Sequence, residues 1–136
     1  MYRVFDTEQK KWVEDNVYLS PNDELFQIKK TLFGNRLVKL SSERYVFHKD
    51  INLFDKDGKD VFEGDFIKAH VDEDRYVLGI VTYANEFSGY IILCFDSEEF
   101  FSLGNEICDL IKVVGNVFDG IGEEYGSQQS LQEETV

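Results

Sequence analysis

The chain has 136 residues, 43% hydrophobic and 15% aromatic, which is enough apolar material for one domain or two small lobes to fold unaided. Its 27 acidic side chains outnumber 14 basic ones, for a net charge of −13, and the excess is uneven: residues 1–71 hold 13 acids and 12 bases, whereas residues 72–136 hold 14 acids and 2 bases. A surface this acidic repels phosphate backbones, no apolar run approaches the ~20 residues of a membrane span, and the opening MYRVFDTEQ lacks the parts of a signal peptide; the expectation is a cytoplasmic protein with no membrane partner that disfavours nucleic acid.

Strand signals dominate, because β-branched and aromatic residues recur in short runs broken by Gly, Asn and Asp. MYRVFD and WVED read as two short strands around the polar turn TEQKK, with Tyr2, Val4 and Trp12 facing inward. PNDELFQIKKTLF, residues 21–33, is the best helix candidate, although its period is imperfect and LFQIKKTLF fits a strand equally well. NRLVKLSSERYVFHKD offers strands at Arg36 to Leu40 and Tyr45 to His48 around Ser-Ser-Glu, as a hairpin would. VFEGDFIKAHV, RYVLGIVTYA and GYIILCF then have the lengths of an antiparallel meander. EEFFSL reads as a further short strand, NEICDLIKV fits a short helix or a strand, and VVGNVFD closes the fold. The expected class is mainly β (α+β): a β-rich lobe over residues 1–53 with the helix candidate at 21–33, a compact antiparallel barrel-like part over 54–119, and a disordered acidic tail over 120–136.

Little in the chain looks like chemistry. Cys94 and Cys108 lie far apart in apolar runs and read as buried reduced thiols, and His48 and His70 stand alone in strand-like stretches without metal-ligand spacing. No phosphate loop, nucleophile elbow, zinc spacing or Ser-His-Asp order is visible. The one concentration of carboxylates is DKDGKDVFEGDFI, which holds Asp55, Asp57, Asp60, Glu63 and Asp65. It fails as a calcium loop: placing Gly58 at the sixth position puts Leu53 at the first and Gly64 at the twelfth, where oxygen ligands belong. Lys56 and Lys59 make the run self-neutralising, unlike a carboxylate pair whose pKa values are pushed apart by a pocket. A turn requires less. Gly58 takes a positive φ in KDGK, Phe54 and Val61 face the core on paired strands, and Gly64 permits a sharp bend before Asp65, whose carboxylate accepts backbone N–H bonds. These residues point to a protein that is not an enzyme and uses no cofactor or metal.

DKDGKDVFEGDFIK resembles the signature of the YopX-like family of phage and prophage proteins, a D-x-x-G-x-x-[IV]-[YF]-E-G-D-[IV] segment. YRVFDTEQKKWV is similar to that family's Arg-aromatic-Asp opening, LGIVTY to its Gly-x-Val-x-Tyr strand, and VVGNVFD to its closing Ile-Gly-Asn-Ile-Tyr, so the similarity runs in order to about Asp119. One departure is local: where the family has Thr-Gly-Leu-x-Asp before the signature, this chain has DINLFDKD, with Ile51 and Asn52 replacing the threonine and glycine and Asp55 kept. The resemblance implies a phage or prophage origin and a mostly β fold with a barrel-like C-terminal part. It implies no activity, and it marks Asp57, Gly58, Glu63, Gly64, Asp65, Gly79, Gly115 and Asn116 as positions that shape the backbone.

The expected function is therefore that of an accessory protein acting by protein–protein contacts, as a homo-oligomer, with a basic host or phage protein as a candidate partner. The acidic second half also suits a decoy for a host DNA-binding protein. The alternative is a nucleic-acid-binding module in the first half, where Lys10, Lys11, Arg36, Lys39 and Arg44 lie near Trp12, Tyr45 and Phe47.

Overall fold

The computed structural model describes residues 2–14 and 16–121. It is a mainly β protein of antiparallel sheets, in which the chain divides into two compact units, Met1–His48 and Lys49–Val136.

The first unit opens with β1 (Tyr2–Asp6) and β2 (Lys11–Val13), paired as the expected hairpin with Val4 opposite Val13 and Phe5 opposite Trp12. Residues directly opposite share a face, so Val4 and Trp12 point to opposite sides. Val4 is buried with Leu25 and Leu40 and is joined by Tyr2, whereas Trp12 stacks edge-on against Phe5 with ring centroids 5.0 Å apart and does not share the inward face expected of it. β3 (Val17–Leu19), β4 (Leu25–Thr31) and β5 (Gly34–Lys39) form a three-stranded antiparallel sheet.

The helix candidate at 21–33 is therefore a strand, the other reading that its pattern allowed. Helix nucleation has to precede any reward from packing, while Leu25–Thr31 has β3 on one side and β5 on the other to take up its backbone bonds. The hairpin expected between Arg36 to Leu40 and Tyr45 to His48 is likewise absent. β5 pairs with β4, and the backbone N–H groups of Arg44 and Tyr45 fold back onto the Ser41 carbonyl, turning the chain into the separate strand β6 (Tyr45–Phe54).

β6 crosses the division and reaches the second unit, which adds β7 (Asp60–Phe62), β8 (Asp65–His70), β9 (Tyr76–Ala84), β10 (Gly89–Cys94), β11 (Phe100–Ser102), β12 (Ile111–Asn116) and β13 (Gly120–Ile121). The last six form one sheet in the order β11-β10-β9-β8-β12-β13, with every pair antiparallel and the whole curled into a half-barrel. The meander expected from residues 61–95 is present, except that Glu63 and Gly64 cut VFEGDFIKAHV into β7 and β8. NEICDLIKV divides too: Asn105–Leu110 is a 3₁₀ helix and Ile111 begins β12. Alternation along the strands places Val61, Ile67, Ala69, Val77, Val81, Ile92, Cys94, Ile111 and Val113 in the main core, and Phe66, Val114 and Ile121 in a smaller cluster. Gly120 and Ile121, the first two residues of the expected tail, form β13; the rest of it lies outside the described residues.

Val61 is buried as expected, but Phe54 is exposed. Phe54 pairs with Asp60, so it shares a face with Asp60 and not with Val61, the next residue along. A strand has period two, and a one-residue difference in register reverses the side.

Candidate functional site

Asp55, buried at the end of β6, organises the DKDGK turn. Its backbone N–H donates to the Lys59 carbonyl at 2.8 Å, and its Oδ1 accepts the N–H groups of Asp57 and Lys59, both at 2.9 Å. Gly58 closes the turn at φ +81°, donating its N–H to the Asp55 carbonyl. The remaining oxygen, Oδ2, accepts the Val113 N–H at 3.0 Å, and the Lys56 N–H donates to the Ile111 carbonyl, so the turn is fastened to β12, 58 residues further on. Asp57, by contrast, is exposed, and what it contributes to the turn is its backbone N–H.

The FEGD bend works in the same way. Glu63 Oε1 accepts the Lys49 N–H at 2.9 Å, and Asp65, fully buried, accepts the Phe62 N–H through Oδ2 at 2.8 Å. Gly64 sits at φ +79°, donates its N–H to Val81 in β9, and accepts the Val117 N–H just after β12. Asn116 then shapes that closing turn: its Oδ1 accepts the N–H groups of Phe118 and Asp119, and its Nδ2 donates to Asp119. Gly79 and Gly115 serve close approach instead. A Cβ on Gly79 would lie 2.6 Å from Ile92 Cγ2 and from the Leu93 carbonyl oxygen, and one on Gly115 would collide with the Gly120 carbonyl.

These contacts draw the separated segments at residues 55–65 and 113–119 into one knot of backbone hydrogen bonds. Asn52, standing where the resembled pattern has glycine, adopts φ +63°, a left-handed conformation that asparagine tolerates better than most side chains, and its N–H donates to the Asp50 carboxylate. Asp55, the leading aspartate of the D-x-x-G pattern, is absent from the positions that the resemblance marked as shaping the backbone. Its signal was the aspartate retained before the turn, but its partner in β12 is not deducible from spacing.

A second such centre lies in the first unit. Asp6 accepts the Glu8 and Gln9 N–H groups and the Arg44 guanidinium, at 3.0 Å from Nε and 2.8 Å from the terminal nitrogen, while the Thr7 N–H and hydroxyl both donate to the Arg44 carbonyl. The hydrogen bond with Arg44 outweighs burial and holds the Asp6 carboxyl well below the usual range, and the same bond raises the guanidinium. Arg44 also reaches Glu8 at 3.3 Å and lies 5.0 Å from the centre of the Tyr45 ring, while Arg3 lies 4.7 Å from the Trp12 ring. Of the basic residues read as a nucleic-acid surface, Arg44 and Lys39 are thus engaged with acids, whereas Lys10, Lys11 and Arg36 are exposed.

Nearby, an open groove of about 750 Å³ is lined by Leu25, Leu40, Tyr45 and Phe47, with Lys39 and Glu24 bridged at 3.6 Å. In the second unit burial pushes the Cys94 thiol up, which keeps it protonated and unreactive, and Cys108 also carries a free thiol. Among the described residues no three His, Cys, Asp or Glu side chains gather where a metal ion could be held, and no helix is long and apolar enough to cross a membrane.

His48 is pushed down to about 4, first by burial and then by the positive charge of Arg3. The folded protein therefore holds it neutral, and acid must charge it on unfolding. Its contribution to stability is complete above about pH 6.5 and is lost as the pH falls toward about 4, a window above the one in which Asp6 is protonated. We expect the melting temperature to decline from pH 6.5 to 4 and this leg to flatten in His48→Gln. An unchanged slope in the variant would assign the decline elsewhere.

A family model described as YopX protein matches residues 1–120. Two crystal structures are similar. Protein YopX from Bacillus subtilis is 16% identical, with a TM-score of 0.58 over 86% of this chain and 91% of that one. Protein EF1440 from Enterococcus faecalis is 23% identical, with a TM-score of 0.48 over 86% of this chain and 92% of that one. No curated protein matches the chain.

Proposed function

The chain belongs to the YopX protein family, and from that premise we propose that it is a phage or prophage accessory protein that works in the host cytoplasm by binding other proteins rather than by catalysis. The observation that carries this reading is the use made of the carboxylate-rich signature. Asp55 spends both carboxylate oxygens on the backbone N–H groups of Asp57, Lys59 and Val113, and Glu63 and Asp65 each spend one, on those of Lys49 and Phe62. A carboxylate held in this way by a turn is a structural brace, with neither the open coordination of a metal ligand nor the proton-transfer geometry of a general base.

Two features support protein contacts in particular. The charge is concentrated in the second unit, whose 20 acids face 6 bases, so it favours a basic partner; the first unit holds 7 acids and 8 bases. Large apolar side chains, including Phe33, Phe87 and Phe100, are also exposed. The test is to tag the full chain, express it in its natural host during phage induction, and identify what co-purifies at moderate salt. A stoichiometric protein partner is the expected result. Recovery of nucleic acid that is lost at high salt, with no protein, would overturn the reading in favour of a nucleic-acid module.

A further inference from the structure

The β4–β5 hairpin turns through two residues, Leu32 and Phe33, between the paired Thr31 and Gly34. They are 98% and 102% exposed. Two-residue hairpin turns favour Asn, Asp and Gly, which accept positive φ; Leu32 and Phe33 do not adopt it, so turn chemistry gives no reason for these side chains. The Thr31 hydroxyl donates to the Gly34 carbonyl at 2.8 Å and steadies the tip that presents them. Behind the tip the strands are basic. Residues 25–39 hold Lys29, Lys30, Arg36 and Lys39 and no acid, all four are exposed, and Lys39 alone is bridged, to Glu24.

The second unit carries the complementary surface. Leu93 and Phe100 are cross-strand partners on one face of the curled sheet, and the Phe87 ring lies 5.0 Å from that of Phe100; all three are exposed. Residues 85–102 around them hold Glu86, Asp96, Glu98 and Glu99 and no base, again all exposed, with Glu99 bridged to Arg75 at 3.6 Å. One sequence thus carries both an apolar tip on a +4 hairpin and an apolar patch within a −4 segment. An anionic lipid or nucleic-acid surface could meet the charge of the hairpin, but a chain of net −13 is repelled from both as a whole.

We propose that the β4–β5 hairpin of one copy docks on the Phe87–Leu93–Phe100 patch of a second copy, with Lys29, Lys30 and Arg36 set against Glu86 and Glu98. The inference rests on the reading of the chain as an interaction protein and names this chain as one of its own partners. Desolvating Leu32 and Phe33 supplies the attraction, and the opposed charges set orientation and encounter rate.

The test uses the full chain in light scattering and sedimentation over a concentration series at low and moderate salt. Two variants reverse the charges separately: Lys29→Glu with Lys30→Glu and Arg36→Glu, and Glu86→Lys with Glu98→Lys. Every substituted residue is exposed, and circular dichroism melts confirm that each variant folds. Each alone should self-associate at least tenfold more weakly than the parent, and an equimolar mixture should recover assembly, because each reversed hairpin then meets a reversed patch. Phe33→Ser should weaken assembly without altering its salt dependence. A parent chain that stays monomeric throughout, or variants that assemble as the parent does, would overturn the proposal; so would binding to phosphatidylserine vesicles or single-stranded DNA through the hairpin without self-association. A chain that captures a host protein but remains monomeric sinks this inference alone and leaves the interaction reading intact.

Discussion

Replacing Asp55 with alanine is expected to destabilise the protein by about 3 kcal/mol and lower its melting temperature by roughly 10 °C. The substitution removes the acceptor for three backbone N–H groups at once. Those of Asp57 and Lys59 can find water in the exposed turn, but that of Val113 belongs to a buried strand and would lose its partner outright. The turn would also lose a fastening to β12, leaving the Lys56 N–H to Ile111 bond to hold it. Asp55→Asn should recover only part of the loss, because its amide N–H₂ must be turned toward a group that is itself a donor. Asp57→Ala, two residues away, is the control: its carboxylate is exposed, and the change should stay within about 0.5 kcal/mol. Urea unfolding of the three variants and hydrogen exchange at the Val113 amide decide the matter. Equal effects at Asp55 and Asp57 would mean that the run acts through its charge, and the brace assignment would fall.

Gly115→Ala is expected to cost more, about 4 kcal/mol or loss of soluble protein altogether. The obstacle is the Gly120 carbonyl across the β12–β13 pair, where Gly115 lies opposite Ile121 and Asn116 opposite Gly120, so neither strand can give way without breaking the pairing. The bulge between Val113 and Gly115 tightens the same region against β8. Gly58→Ala separates space from conformation: nothing lies within 4 Å of the added methyl, and only the positive φ is penalised, by about 1 kcal/mol. A melting series should therefore rank Gly115→Ala far below Gly58→Ala. The reverse order would show that turn conformation, and not strand contact, limits this half of the fold.

Both expectations concern residues whose importance was visible in the chain in different degrees. Gly58 and Gly64 announce themselves, because a glycine after aspartate or glutamate between strand-like runs has a local reason to be there, and both occupy positive φ. Gly115 and Gly79 instead sit inside apolar strand runs, VVGNV and LGIV, and answer to close contact with β13 and β10, which no local pattern encodes. Spacing argued against a calcium loop in the carboxylate cluster, yet which of its members lie inside was decided by burial: Asp55 and Asp65 are buried, while Asp57 is not.

What the sequence by itself determined is the class of structure and the order of its parts. Short alternating runs punctuated by Gly, Asn and Asp can bury one face as strands and have no stripe to bury as long helices, and the meander from β8 to β10 follows from that pattern and its short connections. Only the tertiary structure decided which strands pair and which side of each is inward. Leu25–Thr31 became a strand because neighbours on both sides satisfied its backbone, β5 turned to β4 instead of β6, and a single step in register put Phe54 outside and left Val61 in the core. Hydrogen-bond partners far apart in the chain and the two-residue period of a strand are both set by register, and register is fixed by the whole sheet at once.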